Sequence, residues 1–331
     1  MPNTCREPAS ISLIAVACLF LSSNLSPVSL RLEMLQVARL APKLLGDSTE
    51  LVKAFLSRQQ NEDGGFKDRA GRSDLYYTAF GLNALLALQV QLPVARVETY
   101  LQSFGSRQGL DFVHLCCLAR SWATLRNSVP KAVDSGQLPF RDELLHRIEA
   151  FRSVDGGYHP IVDHEFGTAY GCFLALGAYQ DLDRPLPDPV GLTNCLRSLE
   201  TEDGAWANER NIKIGSTNAT AAAIAVLRQL DAPPRLTAGD WLLARFHSQG
   251  GFLGMPDAPM PDLLSTATSL HALAGLQVPL ERIKEPCLDF IDTLWTNEGG
   301  LHGHWGEDTL DCEYTFYGLL ALGHLAVISD P

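Results

Sequence analysis

The densest group of residues able to do chemistry lies near the C-terminus, where His302, His304, Asp308, Asp311 and Cys312 crowd one short stretch. Imidazole, carboxylate and thiolate are the donors that hold zinc. A polar loop capping a helix accounts for the same residues, because Asp311 stands directly before an apolar run. Two carboxylate pairs, Asp163 with Glu165 and Asp311 with Glu313, supply the residue types a glycoside hydrolase uses. The basic residues gather in two loops, Lys67, Arg69 and Arg72 in one, Arg210 and Lys213 in the other. Solvated loop charge is their ordinary reading.

These residues sit in a repeated frame. An amphipathic stretch from Ser48 to Gln59 stops at Asp63-Gly64-Gly65-Phe66, and Ser73 or Asp74 then opens a run that is apolar nearly all round, to Leu88. Glycine supplies the positive φ that ends a helix, and Ser or Asp caps the next one. The unit recurs at Asp155-Gly156-Gly157-Tyr158, Asp203-Gly204-Ala205-Trp206, Gly250-Gly251-Phe252 and Gly299-Gly300-Leu301, with a worn copy at Gln108-Gly109-Leu110. Six units follow, spaced by 45 to 49 residues from Gly64 to Gly299, a period that marks stacked helix pairs. An open solenoid needs polar end repeats, yet the last apolar run, Tyr314 to Leu325, is as apolar as the middle ones. Closure into an all-α (α/α)6 toroid, six inner helices inside six outer ones, buries every apolar run. The inner helices should begin at Asp74, Asp111, His164, Ser216, Asp262 and Asp311 around one mouth, above a bore about 20 Å deep.

Composition fits one large globular unit of 331 residues, 46% hydrophobic, and a net charge of −12 argues against nucleic acid as a partner. Of the eight cysteines, Cys116, Cys117, Cys172, Cys195, Cys287 and Cys312 lie inside expected helices without a CxxC. That placement suits buried thiols in a reducing compartment. Residues 1–29 read as a leader or signal-like segment and 30–331 as the toroid. The apolar run Ile11 to Leu21 is too short to span a bilayer. Cytoplasmic residence is the expectation, with export or anchoring through residues 11–21 as the alternative. Leu30 to Leu45 reads as an amphipathic helix closing the ring, and Asn127 to Pro139 as a surface loop rather than a lid.

The repeat resembles the protein prenyltransferase β-subunit and terpene cyclase superfamily. Gln60-x-x-x-Gly64-x-Phe66 is similar to the repeat of the squalene cyclases, and the Asp-Gly-Gly-aromatic turns resemble those of prenyltransferase β subunits. The resemblance covers Leu30 to Leu325 and implies an α/α toroid with a deep apolar cavity for an isoprenoid, either a prenyl diphosphate or a terpenoid. It also implies a helical-repeat α-type partner subunit, which this chain does not contain.

The family's zinc ligands do not carry over. Where they would stand, Asp262 remains, Leu264 replaces the cysteine and Tyr314 the histidine, and only the worn second unit keeps a histidine, His114. No zinc or other cofactor is expected. The Asp-x-Asp-Asp acid of squalene-type cyclases, the Asp-Asp-x-x-Asp magnesium motif and the Gly-Cys-Gly-Glu-Gln thioester are absent too. The resemblance assigns a diphosphate to Arg210 and Lys213, six and three residues before Ser216, with His164 beside them. Asp262, Asp311 and Tyr314 are the weak catalytic candidates it leaves. Function is therefore expected to be isoprenoid binding, with catalysis zinc-independent or lost. A non-catalytic interaction scaffold and a carbohydrate-active α/α toroid enzyme are the alternatives.

Overall fold

The computed structural model describes residues 28–105, 109–128 and 140–328. Six inner helices carry the apolar runs: Leu75–Ala87, Phe112–Ser128, Ala169–Asp181, Thr217–Gln229, Leu263–Gly275 and Cys312–Leu325. Six outer helices alternate with them: Thr49–Arg58, Val94–Gln102, Arg141–Glu149, Pro189–Ser198, Thr237–Leu243 and Lys284–Thr293. Among the described residues two short helices precede these, Leu30–Ala38 and Pro42–Leu45. In chain order the helices are α1 (Leu30–Ala38), α2 (Pro42–Leu45), α3 (Thr49–Arg58), α4 (Leu75–Ala87), α5 (Val94–Gln102), α6 (Phe112–Ser128) and α7 (Arg141–Glu149). They continue as α8 (Ala169–Asp181), α9 (Pro189–Ser198), α10 (Thr217–Gln229), α11 (Thr237–Leu243), α12 (Leu263–Gly275), α13 (Lys284–Thr293) and α14 (Cys312–Leu325). Each inner helix packs on the next, and α14 packs back on α4, so the ring is closed.

The turns build the rim. Gly64, Gly156, Gly204, Gly250 and Gly299 all have φ between 85° and 97°, the left-handed region that a side chain disfavours. A Cβ at Gly250 would collide with the carbonyl of Pro286, and one at Gly299 with that of Leu51. The residue two places on then turns inward: Phe66, Tyr158, Phe252 and Leu301 are fully buried and Trp206 nearly so. Three of these backbone amides donate to a threonine on the following inner helix, Phe66 to Thr78, Trp206 to Thr220 and Phe252 to Thr266. The turn is thereby tied to the inner helix it introduces. In the first unit it widens into a two-residue antiparallel pair, Phe66–Lys67 with Ser73–Asp74.

Four inner helices are capped where the repeat predicts, by Asp74, Ser216, Asp262 and Asp311, and Asp111 accepts from the His114 amide in the same way. The third differs. Thr168, not His164, caps α8, its hydroxyl accepting from Gly171 N–H at 2.9 Å. His164 belongs to the loop before it.

The N-terminal stretch also departs from expectation. Rather than closing the ring from the side, α1 lies against α4, α8, α10 and α14 and plugs the far end of the bore. Leu30, Arg31, Glu33, Met34, Leu35, Val37 and Ala38 are all buried and only Leu32 and Gln36 are half-buried, so the helix is covered nearly all round and is not amphipathic. It is fastened at the C-terminal ends of inner helices: Arg31 to Asp181 at 2.6 Å, Leu30 N–H to Gln180 Oε1 at 2.9 Å, and Glu33 to Arg228 at 3.1 Å. The run Ile11 to Leu21, Gln108 and most of Asn127 to Pro139 lie outside the described residues. Among the described residues no helix is long and apolar enough to cross a membrane, and the six cysteines among them are buried and unpaired.

Candidate functional site

At the mouth, most motif-bearing residues are already engaged by the fold, although His302 Nδ1 and Asp155 Oδ2 are buried without a partner. Asp262 accepts from the amide and the hydroxyl of Ser265, at 2.6 and 2.7 Å. Asp311 accepts from Tyr314 N–H at 2.9 Å and from Arg69 Nε at 3.2 Å. Burial raises both carboxyl pKa values, against those hydrogen bonds. Arg69 also reaches Glu307 at 3.1 Å and lies over the Tyr314 ring, so it joins the last unit to the first. His114 bridges Asp74 at 3.1 Å and Asp111 at 2.8 Å, and the Asp74 hydrogen bond is the chief cause of its pKa rising to about 9. Unit three to four, four to five and five to six are joined by backbone bonds instead, Ala169 to Asn208, Thr217 to Gly254 and Leu263 to Gly303.

The expected diphosphate residues stand outside the bore. Arg210 and Lys213 are exposed. Arg210 lies over the Phe166 ring at 4.2 Å and donates from Nε to Ser198 Oγ on the outer layer. His164 stacks on His159, centroids 3.6 Å apart, with Nδ1 against the Phe166 carbonyl. His164 and Arg210 thus meet the same segment, but neither borders the cavity. Asp163 and Glu165 are exposed in that loop.

The bore itself holds a cavity of about 400 Å³, within the size range of small-molecule sites. Ala221, Ala222, Ala225, Phe173 and Leu320 supply its apolar wall and Met34 its floor. Near the mouth, Tyr76 donates to Glu313 Oε1 at 2.5 Å. Burial moves the Glu313 carboxyl up to about 7, the tyrosine bond opposing it. Tyr170 and Tyr317 complete this polar edge, their phenols pushed up chiefly by burial. Tyr170 keeps 41% of its surface open, as a side chain standing in a cavity must. Deeper, His271 borders the cavity and its Nδ1 lies 3.0 Å from His324 Nε2. Burial depresses both imidazole pKa values, which leaves the pair neutral.

Sequence reasoning named Glu313 only as half of a glycosidase pair and missed Tyr76, Tyr170, Tyr317 and His271. An inner helix apolar all round gives no periodic sign of which face looks into the bore. The available signal is different: ionisable residues inside otherwise apolar runs, Arg120 in α6 and His271 in α12, have no reason to be there unless a polar neighbour or ligand meets them.

Zinc does not fit the residues present. Leu264 lines the bore where the family thiolate would stand, and Tyr314 is at the rim under Arg69. Among the described residues no three His, Cys, Asp or Glu side chains converge to hold a metal. In the C-terminal cluster, Gly306 N–H donates to His304 Nδ1, Asp311 is committed as above, and burial holds the Cys312 thiol protonated.

The toroid is shared with solved structures. The type II terpene cyclase MstE from Scytonema is 16% identical, with 86% of this chain and 97% of that one covered at a TM-score of 0.55. A variant of the same cyclase, holding its substrate geranylgeranyl dihydroxybenzoate, is 15% identical over 86% and 97% at 0.54. A glycosyl hydrolase family 88 protein from Bacteroides vulgatus is 14% identical over 86% and 99% at 0.56. At such identities the likeness establishes the fold alone. No curated protein matches the chain by sequence. The prenyltransferase alpha-alpha toroid domain matches at residues 28–117 and 219–329, more than half of the chain, and the chain belongs to that family.

Proposed function

We propose that the bore binds an isoprenoid-class molecule and that Glu313, paired with Tyr76, exchanges a proton with it. The observation that carries this reading is a neutral-range carboxyl in the wall of an apolar cavity of about 400 Å³. A carboxyl titrating near 7 is too weak an acid to protonate an isolated double bond. It is matched instead to taking or giving a proton at a polarised atom at neutral pH. The geranylgeranyl ligand of the Scytonema cyclase agrees with a terpenoid-sized guest. A diphosphate at the mouth is less well supported, since Arg210 is turned to the outer layer. Of the two carboxylate pairs a carbohydrate-active reading would use, Asp163 and Glu165 are exposed, and in the other Asp311 is taken up by Arg69 and Tyr314 N–H, which leaves Glu313 alone at the cavity.

Each buried CH₂ contributes about 0.8 kcal/mol, so a long prenyl chain offsets its ordering cost and should bind at micromolar concentration or below. Calorimetry with geranylgeraniol on the wild type and on Ala222→Trp, which fills the cavity, tests this. Binding that falls at least about tenfold in the variant is the expected result. No binding of geranylgeraniol, farnesol or geranylgeranyl diphosphate would leave an interaction scaffold as the better account.

A further inference from the structure

Two guanidinium groups line one annex of the cavity without enough negative charge beside them. Arg31 rises from the plug helix α1, is 5% exposed, and gives its Nε to Asp181 Oδ1 at 2.6 Å. Its Nη1 is buried with no partner. Arg120, midway along α6, has Nε and Nη2 buried and unpartnered; it lies by the Phe80 and Phe316 rings at 5.6 and 5.8 Å and within electrostatic reach of Asp181, which Arg31 already holds. Both arginines border an annex of about 50 Å³ that shares Met34, Tyr76, Tyr170, Phe173 and Tyr317 with the main cavity.

The other ionisable groups of the annex do not balance them. Asp181 is matched by Arg31, while burial holds the thiols of Cys116 and Cys117 and the nearby phenols protonated. The two side chains therefore bring a net positive charge to the lining of a small space, with unused N–H donors buried beside it. Leaving such donors unmet is costly, and the two aromatic faces compensate the charge but accept none of the N–H groups in its plane. A carboxylate would accept from both guanidiniums at once. The annex has room for a few water-sized groups and not for a diphosphate.

We propose that this annex binds a monoanion no larger than a carboxylate, and that the ligand of the bore carries it as a terminal acid group. The second half rests on the isoprenoid reading above; the first does not. The ligand would then lie with its acid end at Arg31 and Arg120 and its other end near Glu313 and Tyr76.

Calorimetry at pH 8 would compare geranylgeranoic acid with geranylgeraniol on the wild type, on Arg120→Met and on the outer-surface control Lys53→Ala. Thermal melts in sodium chloride against sodium gluconate, on the same proteins, supply the free-anion arm. The acid should bind about ten- to a hundredfold tighter than the alcohol, the range of one charge-assisted hydrogen bond. That preference should persist in Lys53→Ala and collapse in Arg120→Met. If Arg120→Met does not fold, Arg120→Lys replaces it, keeping the charge but losing the planar fork, and the preference should shrink. Equal binding of acid and alcohol to the wild type, with Ala222→Trp still blocking both, overturns the annex while the bore reading stands. Binding of neither lipid, with a chloride-dependent rise in melting temperature lost in Arg120→Met, keeps the anion site and sinks the isoprenoid reading. Binding of neither lipid and no chloride effect overturns both.

Discussion

The mouth of the toroid and its bore use polar residues in opposite ways. At the mouth Asp74, Asp262 and Asp311 are each capped onto a helix start, and Arg69 and His114 are each shared between two carboxylates. In the bore Arg31 and Arg120 keep buried donors without partners, and Glu313 is held near neutrality by burial. A polar group whose hydrogen bonds are all met by its own chain is holding the structure together. One left unmet in an enclosed space is available to a guest. Asp74, Asp111, Asp262 and Asp311, which look most like a motif in the sequence, are thus structural, whereas Tyr76, Tyr170, Tyr317 and His271, which belong to no motif, border the cavity beside Ser216 and Glu313.

The largest effect expected from this contrast is at the rim. Trp206 is almost fully buried and donates from Nε1 to the Leu196 carbonyl at 2.9 Å. Trp206→Ala should cost roughly 3–5 kcal/mol, read as a lower urea midpoint at unchanged slope. A loss below about 1 kcal/mol would mean that the turn aromatics do not hold the units together.

That role was legible before any coordinates, and the reason is local. A positive-φ glycine, an aromatic and a capping Asp or Ser are set by neighbours in sequence, so Gly204, Trp206 and Ser216 announce a helix pair by themselves. The ring followed from counting six of them. His164 misled although the third loop is as long as the next three: Gly156 to Thr168 is twelve residues, as are Gly204 to Ser216, Gly250 to Asp262 and Gly299 to Asp311, and that offset points to Thr168. The bore is another matter. Tyr76 and Glu313 are 237 residues apart, and Arg31 reaches Asp181 across 150. Such pairs exist only once the ring has closed and α1 has entered it. The plug was unreadable for the same reason, since its burial comes from four helices that follow it in the chain.

A second, smaller effect should appear in the bore. The Glu313 carboxyl sits at about 7 in the fold against an ordinary 4.5. Between those values the unfolded chain loses the proton first, so stability falls as pH rises through this window and stays lower above it. Up to about 3 kcal/mol is at stake, less whatever water reaches the carboxylate. Glu313→Gln removes the titration and keeps the shape. The difference in melting temperature between variant and wild type should be small near pH 4.5 and grow in the variant's favour toward pH 8. Asp181 and Asp262, also raised by burial, contribute equally to both proteins and cancel, whereas Asp311 is coupled to Glu313 and belongs to the same titration. A difference that is flat with pH would show that Glu313 is an ordinary solvated carboxylate, and the contrast between mouth and bore would lose its main support.

The smallest effect expected is at the mouth's outer lip, and it is the sharpest test of where the ligand lies. Arg210 and Lys213 are exposed, and the contacts of Arg210 are the Phe166 ring at 4.2 Å and Ser198 Oγ at 3.2 Å. An exposed cation–π contact contributes about 0.5–1 kcal/mol. Arg210→Ala/Lys213→Ala should therefore lower stability by no more than about that amount. Neither side chain borders the cavity, so affinity for geranylgeraniol should not change. Geranylgeranyl diphosphate is the discriminating probe. If the lip takes no part, the double variant should bind it as the wild type does. If the two residues hold a diphosphate, each charge-assisted bond lost removes roughly 1.5–3 kcal/mol, and affinity should fall at least about a hundredfold for the pair. That loss, with the alcohol unaffected, would move the polar end of the ligand from the bore to the mouth and reverse the assignment of the two regions.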